Sequence, residues 1–358
     1  MDLNFWSGRR VFITGHTGFK GSWLSLWLTQ LGAEVTGFAL QPSTTPSLYE
    51  LLGLSKSIDS IIADVTNPVS IEAALVKAKP EIVFHMAAQP LVRQSYIDPY
   101  NTYLTNVMGT VNVLQSLRAI NSVRSFVNIT TDKCYENNEW LWGYRESEPL
   151  GGFDPYSSSK ACSELITAAF RSSYFNTELH GRHKLGIATA RAGNVIGGGD
   201  WAADRLMPDI LNSFGAERPV VLRNPNAIRP WQHVLEPLRG YLILANQLFI
   251  NGANMSEPWN FGPADSEAQT VEWVVDKMVK LWGNGASWET DSSVQPHEAH
   301  FLKLDISKAK HHLNWHPKLN LEGSLEMIVD WERARLDGDD MKNVTIAQIK
   351  KYEKIIEN

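Results

Sequence analysis

The sequence predicts an α/β protein: a doubly wound parallel sheet with a smaller, less regular C-terminal domain. Three observations predict it. Short β-branched apolar runs alternate with longer segments of helical period, a glycine-rich turn joins the first run to the first helical segment, and after about residue 190 the alternation loosens into Gly- and Pro-containing loops. Parallel strands need crossover connections, and the helical segments supply them.

The strands are expected at RVFIT, EVTGFAL, SIDSIIA, EIVFHMA, FVNIT and LGIATA. Between Gly18 and Gly32, the residues Trp23, Leu24, Trp27, Leu28 and Leu31 fall on one helical stripe, and Gly32 stands where it can stop the helix. The run RPWQHVLEPLRGYLILANQLF reads as a helix that returns to the first domain, and Ile346 to Ile356 as one more amphipathic helix. These readings assign residues 1–190 and 228–258 to the first domain, 191–227 and 259–340 to the second, and 341–358 to a C-terminal helix.

Composition narrows the partners. With 358 residues, 43% of them hydrophobic, the chain can bury one large core or two smaller ones. A formal charge of −6 with both signs interspersed argues against a polyanion-binding surface and so against nucleic acid, while allowing a local basic pocket for one phosphorylated ligand. Only Cys134 and Cys162 are present and no basic start leads into an apolar core, so a reducing, cytoplasmic setting is expected. No uncharged apolar run approaches the roughly 20 residues of a membrane span.

Chemistry enters with VFITGHTGFKG. Without a Cβ, Gly15 can make the tight turn, Gly18 can let a pyrophosphate approach the backbone, and Gly21 can let helix pack on strand. Thr17, Phe19 and Lys20 complete the loop, and the helix N-terminus behind them offers N–H donors to phosphate. The acidic residue that binds ribose hydroxyls some 20 residues on is missing: Ala39, Leu40 and Gln41 stand there. No Arg or Lys stands there either, which disfavours a 2′-phosphate, so NAD is the expected cofactor.

In DPYSSSKACSELI, Tyr156 and Lys160 are four apart and share a helix face. A free phenol of pKa about 10 is a poor base, and a nearby ammonium is expected to lower it. Thr131 ends the strand SFVNIT, where a doubly wound sheet presents its ligand crevice. Asp132 and Lys133 follow at once; alone, the trio reads as readily as a surface turn. The histidines His311, His312 and His316 and the HEAH run lack metal-ligand spacing, so no metal is expected.

Taken in order, the glycine motif, Asp64-Val65, HMAAQP, NVMGT, Thr131, Tyr156 with Lys160, RAGNVIGGGD, RPWQHV and WNFG resemble the extended short-chain dehydrogenase/reductase family over nearly the whole chain. Within it, TTDKCYE resembles the Thr-Asp-Glu site of nucleotide-sugar 4,6-dehydratases, with Lys133 in the glutamate position. The resemblance implies a Rossmann-like NAD-binding domain and a nucleotide-sugar substrate, CDP-glucose fitting the lysine best, in deoxysugar and O-antigen biosynthesis. It implies Thr131, Asp132, Lys133, Tyr156 and Lys160 as catalytic residues. Around NAD it sets Gly15, Thr17, Gly18, Phe19, Lys20, Gly21, Asp64, Val65, Ala87, Ala88, Gln89, Asn106, Tyr156 and Lys160. Asn194, Arg205, Arg229, Asn260 and His300 are implied as substrate contacts, and a homodimer or homotetramer as the assembly. The alternatives are an NAD-dependent 4-epimerase, a dehydratase acting on a dTDP-, GDP- or UDP-linked sugar, or a catalytically silent nucleotide-binding protein.

Overall fold

The six apolar runs form six parallel strands, and a seventh strand joins them from far along the chain. A computed structural model describes residues 2–291 and 302–357. Its main sheet comprises β1 (Arg10–Thr14), β2 (Glu34–Ala39), β3 (Asp59–Ile62), β4 (Ile82–His85), β5 (Ser125–Ile129), β6 (Gly186–Arg191) and β7 (Pro258–Asn260), in the order β7-β6-β5-β4-β1-β2-β3. All pairings are parallel, with Val11 opposite both Val35 and Ile82. β4, β5 and β6 are buried along their full length, so apolar residues face both sides instead of alternating with exposed ones, and the polar residues among them, such as Asn128 and Arg191, are buried and hydrogen-bonded. The domain boundary expected at 258 cuts β7: Trp259 and Asn260 pair with Ala190 and Arg191, so the sheet runs through 260.

The first helix, Phe19–Gln30, departs from the expected single stripe. Every residue from Gly21 to Leu28 is buried, Ser22 and Ser25 included. The reason is the C-terminal helix Met341–Glu357, which covers its outer side: Trp27 Nε1 donates to Glu353 Oε1 at 2.8 Å and its ring meets Tyr352 edge-on. Gly32, at φ +80°, follows this helix as expected.

One apolar cluster lies between the sheet and the helices Phe19–Gln30, Leu235–Met255 and Met341–Glu357; another fills the opposite face beneath Pro68–Ala78 and Gly109–Leu117. The returning helix expected after RPWQHV is Leu235–Met255, which packs on β5 and β6. A third cluster, including Ile210, Phe214, Trp231, Val274, Met278 and Leu325, forms the core of the C-terminal part.

Candidate active site

The strand order reverses between β1 and β4, and their carboxyl ends open a crevice there. Thr14 ties the two ends: its hydroxyl bonds His85 Nδ1 at 2.8 Å and accepts from the N–H groups of Met86 and Ala87. Gly15 turns the chain at φ +80°, and a β-carbon on it would lie 2.8 Å from Ala87 N. One on Gly21 would lie 2.1 Å from Gly15 O, so helix and turn touch through their backbones. Gly18 caps the helix, and a β-carbon there would meet nothing nearer than Gly15 O at 3.4 Å. The cradle is therefore open at Gly18 and closed at Gly15 and Gly21, which fits a pyrophosphate on the helix N-terminus.

The loops around the cradle are internally braced. Thr17 donates to Leu40 O, and Ala39 ends β2 as a buried residue with no polar group to offer. His16 lies flat on Gly37, bonds Ser60 Oγ at 2.7 Å, and is lowered by burial to a pKa of about 4. Asp64 accepts from Thr66 N, and Val65 fills the space that a β-carbon on Gly109 would need, its Cγ1 2.8 Å from that position. Asn106, expected at the cofactor, is 1% exposed. Its amide joins Gln89, through both backbone groups, to Ser159 Oγ, so it positions the loop of Ala87, Ala88 and Gln89 instead of facing the cleft.

Thr131, Asp132, Lys133, Tyr156 and Lys160 are brought together. Thr131 caps a single 3₁₀ turn, Asp132–Cys134, accepting from Lys133 N and donating to Asp132 Oδ1 at 2.9 Å. Asp132 is 2% exposed, and Lys133 is half-buried beside it. Asp154 caps the helix Pro155–Ser173, fixing the turn that carries Tyr156. The phenol corrects the expected direction: burial pushes its pKa up to about 12, against the Thr131 hydrogen bond and Arg205. Lys160, one helical turn on, sets its Nζ on Ile129 O at 3.0 Å. Burial lowers Lys160 itself to about 8, with Glu164 and Cys134 pulling the other way.

Lys20 reaches the same space from the first helix, its Nζ 5.8 Å from the centre of the Tyr241 ring. Burial, then Lys160 and Arg205, bring it down to about 7, with Asp132 opposing. Tyr241 is a participant that no motif marks. Burial raises its phenol, and the charges of Tyr156 and Asp132 raise it further.

The implied substrate residues divide. Arg205 stands at the cap of the helix Leu206–Gly215, pairs with Asp200 at 2.9 Å, and is close enough to act on Lys20 and Tyr156. Asn194 turns at φ +42° and accepts from Gln232 N; Arg229 lies on a short strand, half-buried, its Nη1 on Ile228 O. Asn260 corrects the expectation. It is fully buried, with Tyr135 O–H on its Oδ1 and its Nδ2 on the carbonyls of Tyr144 and Asp305, so it braces the fold. His300 and the HEAH run lie outside the described residues.

Behind the site, Glu164 and Arg191 form a 2.9 Å ion pair on the same helix and on β6. The sequence holds them in plain view, one helical turn past Lys160 and at the start of RAGN, yet nothing local distinguishes them from surface charges.

Similarity follows the geometry. The family model described as GDP-mannose 4,6 dehydratase matches residues 12–328. A CDP-glucose 4,6-dehydratase of Salmonella typhimurium is 56% identical over 98% of both chains. Among solved structures, UDP-glucose 4-epimerase of Thermotoga maritima superposes with a TM-score of 0.78 at 21% identity, covering 91% of this chain and 99% of that one. A dTDP-glucose 4,6-dehydratase of Bacillus anthracis, in complex with NAD, superposes at 0.76 and 19% identity, covering 94% and 100%.

Proposed function

Because the chain belongs to the GDP-mannose 4,6 dehydratase family, we propose that it is an NAD-assisted CDP-glucose 4,6-dehydratase that yields CDP-4-keto-6-deoxyglucose. The observation that carries this reading is the Thr131-Asp132-Lys133 turn set beside Tyr156 at the crevice. A 4-epimerase needs the tyrosine and the lysine; only an elimination needs an acid and a base besides.

The C5 proton of a hexose is not acidic until C4 is a ketone. NAD, held at the cradle of Gly15, Gly18 and Gly21, would supply the hydride acceptor for C4 and the hydride donor for C6. Tyr156, oriented by Thr131, takes the O4 proton, and the phenol's elevated pKa means that phenolate forms only as positive charge enters the cleft. Lys133 then takes the C5 proton, and Asp132 gives a proton to the departing C6 hydroxyl. Arg205, with Asn194 and Arg229, anchors the substrate diphosphate, to which a guanidinium fork is suited.

The domains follow the same reading: residues 1–190 and 228–258 hold NAD, 191–227 with 259–340 hold the sugar nucleotide, and 341–358 carry the C-terminal helix, with β6 and β7 carrying the sheet one and two residues past these bounds. Among the described residues no helix is long and apolar enough to cross a membrane. The reading extends to a cytoplasmic enzyme of deoxysugar and O-antigen assembly. It is a homodimer or homotetramer, supported by the exposed apolar residues Ile97, Tyr100, Tyr103, Met108 and Leu165 on neighbouring helices. Light scattering that finds only monomer at micromolar concentration removes that last part.

The test is incubation of the pure chain with catalytic NAD and glucose linked in turn to CDP, dTDP, GDP and UDP. A 4-keto-6-deoxy product, detected in alkali from CDP-glucose first, is the expected result. A 4-epimer, or product from the other nucleotides alone, sinks the assignment.

A further inference from the structure

We infer that Gly193 is the seat of the Asp132 carboxylate, a position where any side chain displaces that acid and stalls the elimination. This rests on the reading of Asp132 as proton donor. A β-carbon built on Gly193 lies 1.8 Å from Asp132 Oδ2, 2.2 Å from Cγ and 2.8 Å from Oδ1. The whole carboxylate therefore occupies the volume that a side chain would need.

Backbone conformation does not explain the glycine. Gly193 is absent from the residues with left-handed φ, whereas its neighbour Asn194 adopts φ +42° without being glycine. Space is what the position lacks. Neither partner's backbone can retreat: Gly193 O accepts from buried Gln232 Nε2 at 3.2 Å, and the next residues, Val195–Ile196, pair with Gln232–His233. On the other side, Asp132 begins a capped 3₁₀ turn and holds Thr131 Oγ1 at 2.9 Å. A methyl at Gly193 thus moves the one component free to rotate, the carboxylate. It turns within the space it shares with Lys20, Tyr156 and Tyr241, off the position in which it accepts from Thr131.

The consequence falls on one step. In the elimination the C5–H bond breaks with its proton going to Lys133, the C6–O bond breaks, the Asp132 proton completes the leaving water, and the freed electron pair becomes the C5–C6 double bond. Oxidation at C4 takes Tyr156 as its base and uses no proton from Asp132. Gly193 is therefore a positioning residue, and its replacement separates the two halves of the reaction.

The experiment compares the wild type, Gly193→Ala, Asp132→Ala and the double variant, each with NAD and CDP-glucose. Gly193→Ala should lose about 10²-fold in turnover, the scale of an ångström of misplacement. KM should change little, and reduced-nicotinamide absorbance should build up on mixing. In the Asp132→Ala background the same substitution should cost nothing more, because no carboxylate is left to strike. Equal losses in both backgrounds, or wild-type turnover by Gly193→Ala, overturn the inference. If the wild type does not act on CDP-glucose, the functional reading has failed instead. The contact is then read from thermal melts: Gly193→Ala should lower Tm in the wild-type background and not in the Asp132→Ala background, and equal shifts overturn it.

Discussion

Two polar clusters share the helix Pro155–Ser173 and the carboxyl ends of β5 and β6, and they are built to opposite rules. Thr130, Glu164 and Arg191 make the first; Thr131, Asp132, Tyr156 and Lys160, joined by Lys20, make the second, with Thr131 next to Thr130 and Lys160 one helical turn before Glu164. In the first, Glu164 takes two bonds from Arg191, at 2.9 Å each, and accepts from Thr130 and Thr189, while Arg191 also donates to Tyr135 and to Glu146 O. Burial works against both charges, but Arg191 holds the Glu164 carboxyl below its ordinary value and Glu164 holds the guanidinium above its own. In the second, burial wins: Lys160 falls to about 8, Lys20 to about 7, and Tyr156 rises to about 12. A paired cluster fixes the fold, and one left short of partners keeps protons ready to move.

The largest separation of the two should come from the catalytic side. Tyr156→Phe and Lys133→Ala should each lose about 10²–10⁴ in turnover, with melting temperatures close to wild type. They should differ in what accumulates. Tyr156→Phe lacks the base for the first step and should show no reduced cofactor on mixing with CDP-glucose. Lys133→Ala should build up reduced nicotinamide and fail to wash solvent deuterium into C5. If Lys133→Ala turns over normally, or stops before any reduced cofactor forms, Lys133 is not the C5 base.

The reverse pattern should follow from the paired cluster. Glu164→Gln leaves the Arg191 guanidinium, 3% exposed, without its counter-charge, and should cost about 3–5 kcal/mol in stability. Urea denaturation measures it. Whatever enzyme remains folded should oxidise at C4 with near-normal order of events. A midpoint unchanged from wild type would mean that the pair does not carry the stability assigned to it.

Legibility in the sequence divides along the same line. The strands, the glycine turn and the Tyr156-Lys160 pair are set by local period and spacing, and each was readable. The direction of the Tyr156 shift was not, because it depends on how deeply the folded chain buries the phenol. Asn260 and Asn106 sit in motifs that suggest ligand contact, yet tertiary packing commits their amides to Tyr135 and to Gln89. The two-sided burial of the Phe19–Gln30 helix required a distant partner, Glu353, 326 positions from Trp27. Gly193 looks like one more loop glycine until Asp132 is folded against it.

The smallest effect concerns Lys160, and its sign distinguishes the clusters most cleanly. A lysine whose pKa falls from 10.5 to about 8 on folding binds its proton less tightly in the folded state. Below about pH 8 both states are protonated and the folded state bears the full penalty. Between about 8 and 10.5 the folded lysine is neutral while the unfolded one is still charged, so stability rises with pH; above 10.5 the penalty is gone. At about 1.4 kcal/mol per pKa unit, the penalty at pH 7 is on the order of 3 kcal/mol. Lys160→Met removes it, and removes the bond to Ile129 O, whose loss offsets about 1–3 kcal/mol. The inactive variant should therefore melt at or slightly above the wild-type temperature at pH 7, and its advantage should shrink as pH rises from about 8 toward 10.5. Melting curves across that range decide it. A difference independent of pH would show that the cleft does not strain this lysine, and the contrast between the two clusters would then rest on hydrogen bonding alone.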